Sequence, residues 1–370
     1  MVNVESTEQE KLEKGFHALR KALESLSAVT SIEVPMEPHL RAYRSDATLL
    51  VETALGRQRI EIEAKTSGEP RFIREASFVL SDLRRARPDS YGVVMAPYIS
   101  PESRAILRGQ GQGWFDLAGN CLISFDGIHL EIVKTDVNPF TTKRKQRSIF
   151  SPKSGRILKL LLSESRPLKG IEIASRTYVS AAQVSKVREA LMDREWALSD
   201  AQGLRIIKPT AVLEAWRNDR EPPKLISQGC TVKYGKGLDT YIQTLFMKAQ
   251  QTQYQTLLLA GQSVARRVAP YSRMTGEYFY ADSRGIELIH NFLDLEIVED
   301  GANVFIYQPD DDMLSLDAMA LSPDPLRGTG LIQTYLDLYS MGDRDREAAD
   351  YLLAKKLPQL QVKLGAHHDE

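Results

Sequence analysis

The sequence has almost no net charge, −1 at neutral pH, and only two cysteines, Cys121 and Cys230. Two cysteines so far apart cannot build a disulfide framework or a zinc ligand set. Long apolar runs are also missing, since stretches such as 257–260 are far too short to span a bilayer. The first residues lack the basic and then apolar segments of a secretion signal. These absences predict a cytoplasmic protein without a membrane partner.

The composition is that of a globular protein, with 370 residues of which 42% are hydrophobic and 26% charged. This length accommodates two or three domains, each with its own core. A neutral total does not exclude nucleic acid, because a local basic patch is enough to bind phosphates. Residues 138–156 form such a patch, with no acidic residue and six basic ones: Lys143, Arg144, Lys145, Arg147, Lys153 and Arg156. We interpret the stretch as a linker that contacts DNA phosphates, and the alternative is a solvated linker.

The first part of the chain alternates between helical and strand patterns. In residues 6–27, Phe16, Leu19, Leu23 and Leu26 recur at spacings of three and four, which predicts an amphipathic helix. This helix either packs on its own domain or forms a seam with a second copy in a homodimer. Strands alternating with helices from 31 to 140 predict an α/β domain.

One pair of strands in this domain carries an acidic and basic pattern. Asp46 precedes the first strand, and the second reads Glu61-Ile62-Glu63-Ala64-Lys65. The period of two puts Glu61, Glu63 and Lys65 on one face. Over residues 35–135 the pattern resembles the PD-(D/E)xK nuclease fold, with Ser45 where those families often have proline.

The nuclease resemblance implies a catalytic set of Asp46, Glu63 and Lys65. Asp46 and Glu63 would hold Mg²⁺, which activates water and neutralises charge on the scissile phosphate. Lys65 would orient the nucleophile or steady the transition state. If the domain is inactive, no cofactor is expected, and Glu63 and Lys65 are an ordinary surface pair on a half-exposed strand.

The strongest local pattern lies at 153–208. It predicts a helix at 154–163, a short helix at 171–176, a third helix at 181–194, and a hairpin made from the strands around 196–199 and 204–207. Ser180 followed by Gln183 fits a capping box. Val184, Val187 and Leu191 would be buried, with the outward face formed by Ala182, Gln183, Lys186 and Glu189.

This order resembles winged helix-turn-helix regulators, as does the stretch "TYVSAAQVSKVREALMDREW" with its Val-Ser-Lys segment. The resemblance implies binding of double-stranded DNA through residues 180–188. Gln183 could pair with adenine, with Ser180 and Lys186 close to the duplex. The alternative is a helical hairpin with a β-tail that is used for protein contacts only.

The last part, residues 226–365, again mixes helices and strands. Gly261-Gln262-Ser263 follows a strand and is similar to the corresponding turn of nucleotidyltransferases, but the next strand, 277–282, has no Asp-x-Asp pair. We therefore expect no nucleotide transfer. With the winged helix before it and the segment "YLDLY", residues 150–355 resemble the AbiEi-type antitoxins of abortive-infection type IV toxin–antitoxin systems. That resemblance implies promoter binding, autoregulation and a toxin partner.

The sequence thus predicts a multidomain protein of mixed α/β and α+β class. Its predicted parts are a restriction-endonuclease-like α/β domain at 1–140, a basic linker with a winged helix-turn-helix at 141–216, and an inactive nucleotidyltransferase-like domain at 226–365. The first functional hypothesis is a sequence-specific DNA-binding regulator of transcription. The alternatives are a Mg²⁺-dependent endonuclease directed by the winged helix and a scaffold that binds a toxin or defence protein.

Overall fold

The computed structural model describes residues 5–24, 26–34, 45–140, 149–231, 238–250, 257–271, 276–311 and 313–357. Contacts divide the chain into two units, one of Met1–Gln146 with Ala190–Glu195 and one of Arg147–Glu189 with Trp196–Glu370. Apart from Ala190–Glu195, the region predicted as a winged helix falls in the second unit together with the C-terminal region. The mixed α/β class is confirmed. No helix of the described residues is long and apolar enough to cross a membrane.

The first unit is a seven-stranded sheet with helices on both faces. The elements are α1 (Glu5–Glu24), β1 (Val29–Glu33), β2 (Ala47–Thr53), β3 (Gly56–Ala64), α2 (Pro70–Ala86), β4 (Ser90–Ala96), α3 (Pro101–Gly109), β5 (Gly113–Asp116), β6 (Cys121–Phe125) and β7 (Ile128–Ile132). The strands of the sheet follow chain order, and the pairs β3–β4 and β4–β5 are parallel while the other neighbours are antiparallel.

The two faces of this sheet have separate cores. Leu19 and Leu23 of α1 are fully buried against one face, which is the packing on its own domain that the amphipathic pattern allowed. The apolar sides of α2 and α3 cover the other face, around Trp114. The helix α2 begins at Pro70, a residue suited to a first turn because it lacks an N–H that would remain unpaired.

The second unit begins with three helices and a β-hairpin. In chain order they are α4 (Pro152–Ser163), α5 (Gly170–Thr177), α6 (Ala181–Asp193), β8 (Ala197–Ser199), β9 (Leu204–Ile206) and a further helix α7 (Pro209–Asp219), which the sequence analysis missed. The predicted bounds of the first three helices agree with these within two residues. Leu168 and Leu204 exchange two main-chain hydrogen bonds of 2.9 Å, which connect the hairpin to the residues before α5.

The hairpin turn permits this bridge only because it contains glycine. Gly203 has φ +139, and a Cβ there would lie 2.5 Å from main-chain atoms of Leu168. Asp200 closes the turn, since its Oδ1 accepts hydrogen bonds from the main-chain N–H groups of Gln202 and Gly203. The hairpin is therefore held tightly to the helices.

A second seven-stranded sheet with its helices completes this unit. The elements are β10 (Leu225–Cys230), α8 (Leu238–Gln250), β11 (Leu257–Leu259), α9 (Gly261–Val268), β12 (Glu277–Ala281), α10 (Ser283–Leu293), β13 (Glu296–Ile297), β14 (Val304–Tyr307), β15 (Met319–Ala320), β16 (Arg327–Gly328), α11 (Leu331–Met341) and α12 (Asp343–Lys356). The strand order is β13-β10-β14-β12-β11-β16-β15. One face of the sheet packs on α8 and α10, and α11 packs on α7, α9 and α12. The strands that the sequence places before Gly261 and at 277–282 are β11 and β12.

Candidate functional site

Two places in the structure hold residues that the sequence predicted to be functional. The first is the end of the β2–β3 hairpin. Ala47 pairs with Ile62 in the antiparallel register, so Asp46 stands opposite Glu63. Asp46 Oδ2 accepts a hydrogen bond of 2.8 Å from the main-chain N–H of Ala64. Lys65 Nζ lies 3.1 Å from Glu63 Oε1. The three predicted catalytic residues therefore lie together.

The charges at this place affect one another. Burial raises the pKa of Glu63, and the nearby carboxylate of Asp46 raises it further, while Lys65 opposes the increase. Asp46 is exposed and Glu63 is only 7% exposed. Mg²⁺ is commonly held by one or two carboxylates together with water, so this pair fits the ion. The described residues contain no group of three or more His, Cys, Asp or Glu side chains that could hold a metal.

Glu61, on the same strand, has a different role. It is 1% exposed, and its carboxylate accepts hydrogen bonds from Ser45 Oγ at 2.6 Å, Thr48 Oγ1 at 2.8 Å and Arg59 Nε at 2.6 Å. Burial alone would raise its pKa, but these hydrogen bonds outweigh burial and lower the pKa. Because Ser45 directly precedes Asp46, Glu61 fixes the chain where the candidate site begins.

The second place is α6, whose start the sequence predicted from Ser180. Ser180 Oγ accepts a hydrogen bond of 3.2 Å from the N–H of Gln183, which is one half of the predicted capping box. Val184, Val187 and Leu191 are buried, as the helical period required. Lys186 is exposed on the opposite side.

Gln183 is not on the outward face, where the sequence analysis had placed it. Its side chain is half-buried, and its Nε2 donates a hydrogen bond of 2.8 Å to Ser154 Oγ at the start of α4. The amide therefore ties two helices together instead of reaching back to Ser180. The correction has a physical reason: the side chain is long enough to cross to a neighbouring helix, and Ser154 supplies a buried acceptor there.

The predicted basic stretch is described only in part. Lys143, Arg144, Lys145 and Arg147 lie outside the described residues. Lys153 is exposed at the start of α4. Arg156 is not exposed to phosphates as predicted: its guanidinium is paired with Asp311, and the two side chains are 10% and 7% exposed.

The helix α6 carries further exposed residues besides Lys186, and some of them line a groove. Ser185 and Arg188 are exposed, and with Lys169 they line a groove of about 460 Å³ bounded by α5, α6 and the hairpin turn. In the part of the chain that the structure describes, neither Lys186 nor Arg188 is in an ion pair. Their positions follow from the buried face, since the helical period that buries Val184 and Val187 leaves residues 185, 186 and 188 outside.

The serine of the Gly-Gln-Ser turn at the start of α9 is buried and makes hydrogen bonds within the protein. Ser263 is fully buried, and its hydroxyl bonds both the carboxylate of Glu277 and the main-chain N–H of Tyr278. Arg267 also contacts Glu277. These contacts join α9 to β12 and leave the serine with no surface for a nucleotide phosphate.

Removing the hydroxyl of Ser180 is expected to lower the free energy of unfolding by about 1 kcal/mol, because an N–H at the start of α6 loses its acceptor. Urea unfolding of Ser180→Ala measures this loss. The matched control is Ser175→Ala, which removes an exposed hydroxyl of α5. Equal loss in both variants would contradict a capping role.

No protein-family model, curated protein or solved structure matches this chain.

Proposed function

We propose that the protein binds double-stranded DNA, with α6 in the major groove and the hairpin beside it, and that it acts as a regulator of transcription. The observation that carries the proposal is the position of α6. One side of the helix is buried through Val184, Val187 and Leu191, and the other side is exposed. A helix held in this way can enter the groove without unfolding anything.

The charges around α6 support the same function. Lys186 and Arg188 on α6, Lys169 before α5 and Arg205 on β9 all have exposed side chains. Cationic side chains beside an inserted helix contact phosphates and fix the register of the protein on the duplex. The groove between α5, α6 and the hairpin turn is lined by two of these cations.

The variant Lys186→Ala/Arg188→Ala tests the proposal. Affinity for duplex DNA should fall, and the slope of log K against log salt should become shallower by about 2, since each lost phosphate contact removes about 0.9. Fluorescence anisotropy with the DNA upstream of its own gene, in EDTA and over a range of salt, measures both quantities.

A matched control removes the same number of positive charges at positions outside α6. Arg327 and Lys356 are exposed on β16 and α12. Arg327→Ala/Lys356→Ala should leave both affinity and slope unchanged. If the two double variants behave alike, total charge and not α6 determines binding, and the assignment of α6 is rejected.

A second candidate function is metal-dependent cleavage of DNA, and the observation that favours it is the convergence of Asp46, Glu63 and Lys65. Mg²⁺ held there would activate water and neutralise charge on a phosphate. The chain itself provides two carboxylates for the ion, and a Lys65 ammonium to orient a phosphate oxygen. Nicking of supercoiled plasmid with Mg²⁺ or Mn²⁺, and its loss in EDTA, is the assay.

A further inference from the structure

A pocket of about 560 Å³ in the second unit is lined by α4, the end of α5 and residues 313–317. Cavities of about 300–1,000 Å³ are the usual size of sites for small molecules. Lys159 of α4 lines this pocket although the residue is only 8% exposed. The pocket therefore gives a ligand access to a buried lysine.

The ammonium group of Lys159 has fewer partners than donors. It carries three N–H groups, and within the described ranges its contact is the one from Nζ to Asp317 Oδ1 at 3.4 Å. A hydrogen bond from an ammonium to a carboxylate is usually about 2.7–2.9 Å long, so this contact is weak. The Asp317 side chain is 31% exposed, and water reduces its repulsion of an incoming anion. The remaining donors of Lys159 are therefore suited to an anionic oxygen.

The two guanidinium groups at the pocket already have acidic partners. Arg156 is paired with Asp311, and Arg176 lies 2.6 Å from Glu164. Because these partners neutralise both arginines, the anionic group of a ligand is expected to bind to Lys159.

Other side chains at the pocket are apolar and open to solvent. Tyr178 is 67% exposed and Leu316 is 43% exposed, and Leu160 and Met313 line the same pocket. An apolar body placed on them would remove hydrophobic surface from water. We propose that this pocket binds a small organic anion, whose carboxylate accepts from Lys159 Nζ and whose aromatic or aliphatic body covers Tyr178 and Leu316. Such binding goes beyond the proposed function and does not depend on it, because none of the described residues that line the pocket belongs to α6.

The experiment compares three probes of one shape and different charge on the full chain: benzoate, benzamide and benzamidine. Ligand-observed NMR titrations measure the dissociation constant of each. Benzoate should bind about ten-fold more tightly than benzamide, because hydrogen bonds to a charged acceptor contribute more than those to a neutral one. The benzamidine cation should bind more weakly than benzamide.

Two variants locate the site. Lys159→Met removes the charge and keeps an unbranched side chain, so the benzoate-to-benzamide affinity ratio should fall from about ten to about one. Lys356→Met makes the same change at an exposed position of α12 and should keep the ratio near ten. Ser163 is exposed and lines the pocket, so the indole of Ser163→Trp should occupy it and abolish saturable benzoate binding.

Several results would overturn the assignment of this pocket. Benzoate without saturable binding up to about 10 mM rejects an anion site, and so does benzamide or benzamidine that binds as tightly as benzoate. A ten-fold ratio that persists in Lys159→Met, or benzoate binding that Ser163→Trp leaves unchanged, places the anion elsewhere. If circular dichroism shows that Lys159→Met folds poorly, the wild-type ratio and Ser163→Trp still decide.

Discussion

Replacing Arg220 with alanine is expected to lower the free energy of unfolding by about 3–5 kcal/mol, since one partner of a buried ion pair then remains alone. Arg220 follows α7, and its side chain is 9% exposed. It pairs at 2.8 Å with Asp337 of α11, which is fully buried. Urea unfolding at pH 8 measures the loss.

The surroundings of Asp337 explain the size of this effect. Its Oδ1 accepts hydrogen bonds from Arg220, from the hydroxyl of Tyr280 at 3.0 Å and from Gln333 at 2.9 Å. Among the described residues, Oδ2 has no partner. The Arg220 guanidinium is therefore the charged partner of a carboxylate in which one oxygen, Oδ2, accepts no hydrogen bond among the described residues.

The loss should also depend on pH. Burial raises the pKa of Asp337 to about 6, and Arg220 opposes that increase. The folded carboxyl thus keeps its proton up to about pH 6, whereas the unfolded one releases it near 3.8. Between these values the folded state binds more protons, so stability falls as pH rises. Without Arg220 the pKa rises further, and Arg220→Ala should be more destabilising at pH 8 than at pH 5.

The control for this variant is Arg346→Ala. Arg346 pairs with Asp343 on α12 at 2.9 Å, but the two side chains are 52% and 96% exposed. Exposed pairs contribute about 0–1 kcal/mol. A similar loss in Arg220→Ala and Arg346→Ala, or a loss that does not change with pH, would contradict the role given to the buried pair.

Lys65→Ala and Asp46→Asn should each lower metal-dependent nicking by about 100-fold or more, if the protein cleaves DNA as the second candidate function states. Lys65 places a positive charge beside Glu63, and Asp46 would contribute one of the two carboxylates for the ion. Removing either leaves the hairpin intact and takes away a group that would act on the phosphate or the metal. Initial rates of plasmid nicking measure the effect.

Controls for the cleavage assay come from the same unit. Asp82→Asn on α2 and Lys134→Ala after β7 make the same changes of charge at exposed or half-exposed positions. Both should nick at the wild-type rate. Full activity in Lys65→Ala or Asp46→Asn rejects this site, and a wild-type protein that never nicks rejects cleavage itself.

Short-range patterns were the part of this structure that the sequence could predict. The bounds of α6 follow from the helical period and from Ser180. The position of Asp46 opposite Glu63 can also be predicted from the sequence, because a tight hairpin between β2 and β3 fixes which residues pair across the two strands. Each prediction needed only residues close in the chain.

Partners far apart in the chain were the part that the sequence could not predict. The basic stretch that Arg156 ends predicts contact with phosphates, but Asp311, in the segment between β14 and β15, pairs with its guanidinium. Gln183 was assigned to a base because it follows the helix start, but Ser154 takes its amide. Helical periodicity predicts which side of a helix faces solvent. It does not predict which side chain from a distant part of the sequence bonds to a residue of that helix.

The hydrogen bonds between Leu168 and Leu204 connect the β8–β9 hairpin to the residues that lead into α5. The hairpin cannot swing without pulling on the residues that introduce α5, and α5 leads directly into the turn before α6. The hairpin and α5 are therefore joined twice, once through the chain and once through this pair of main-chain hydrogen bonds.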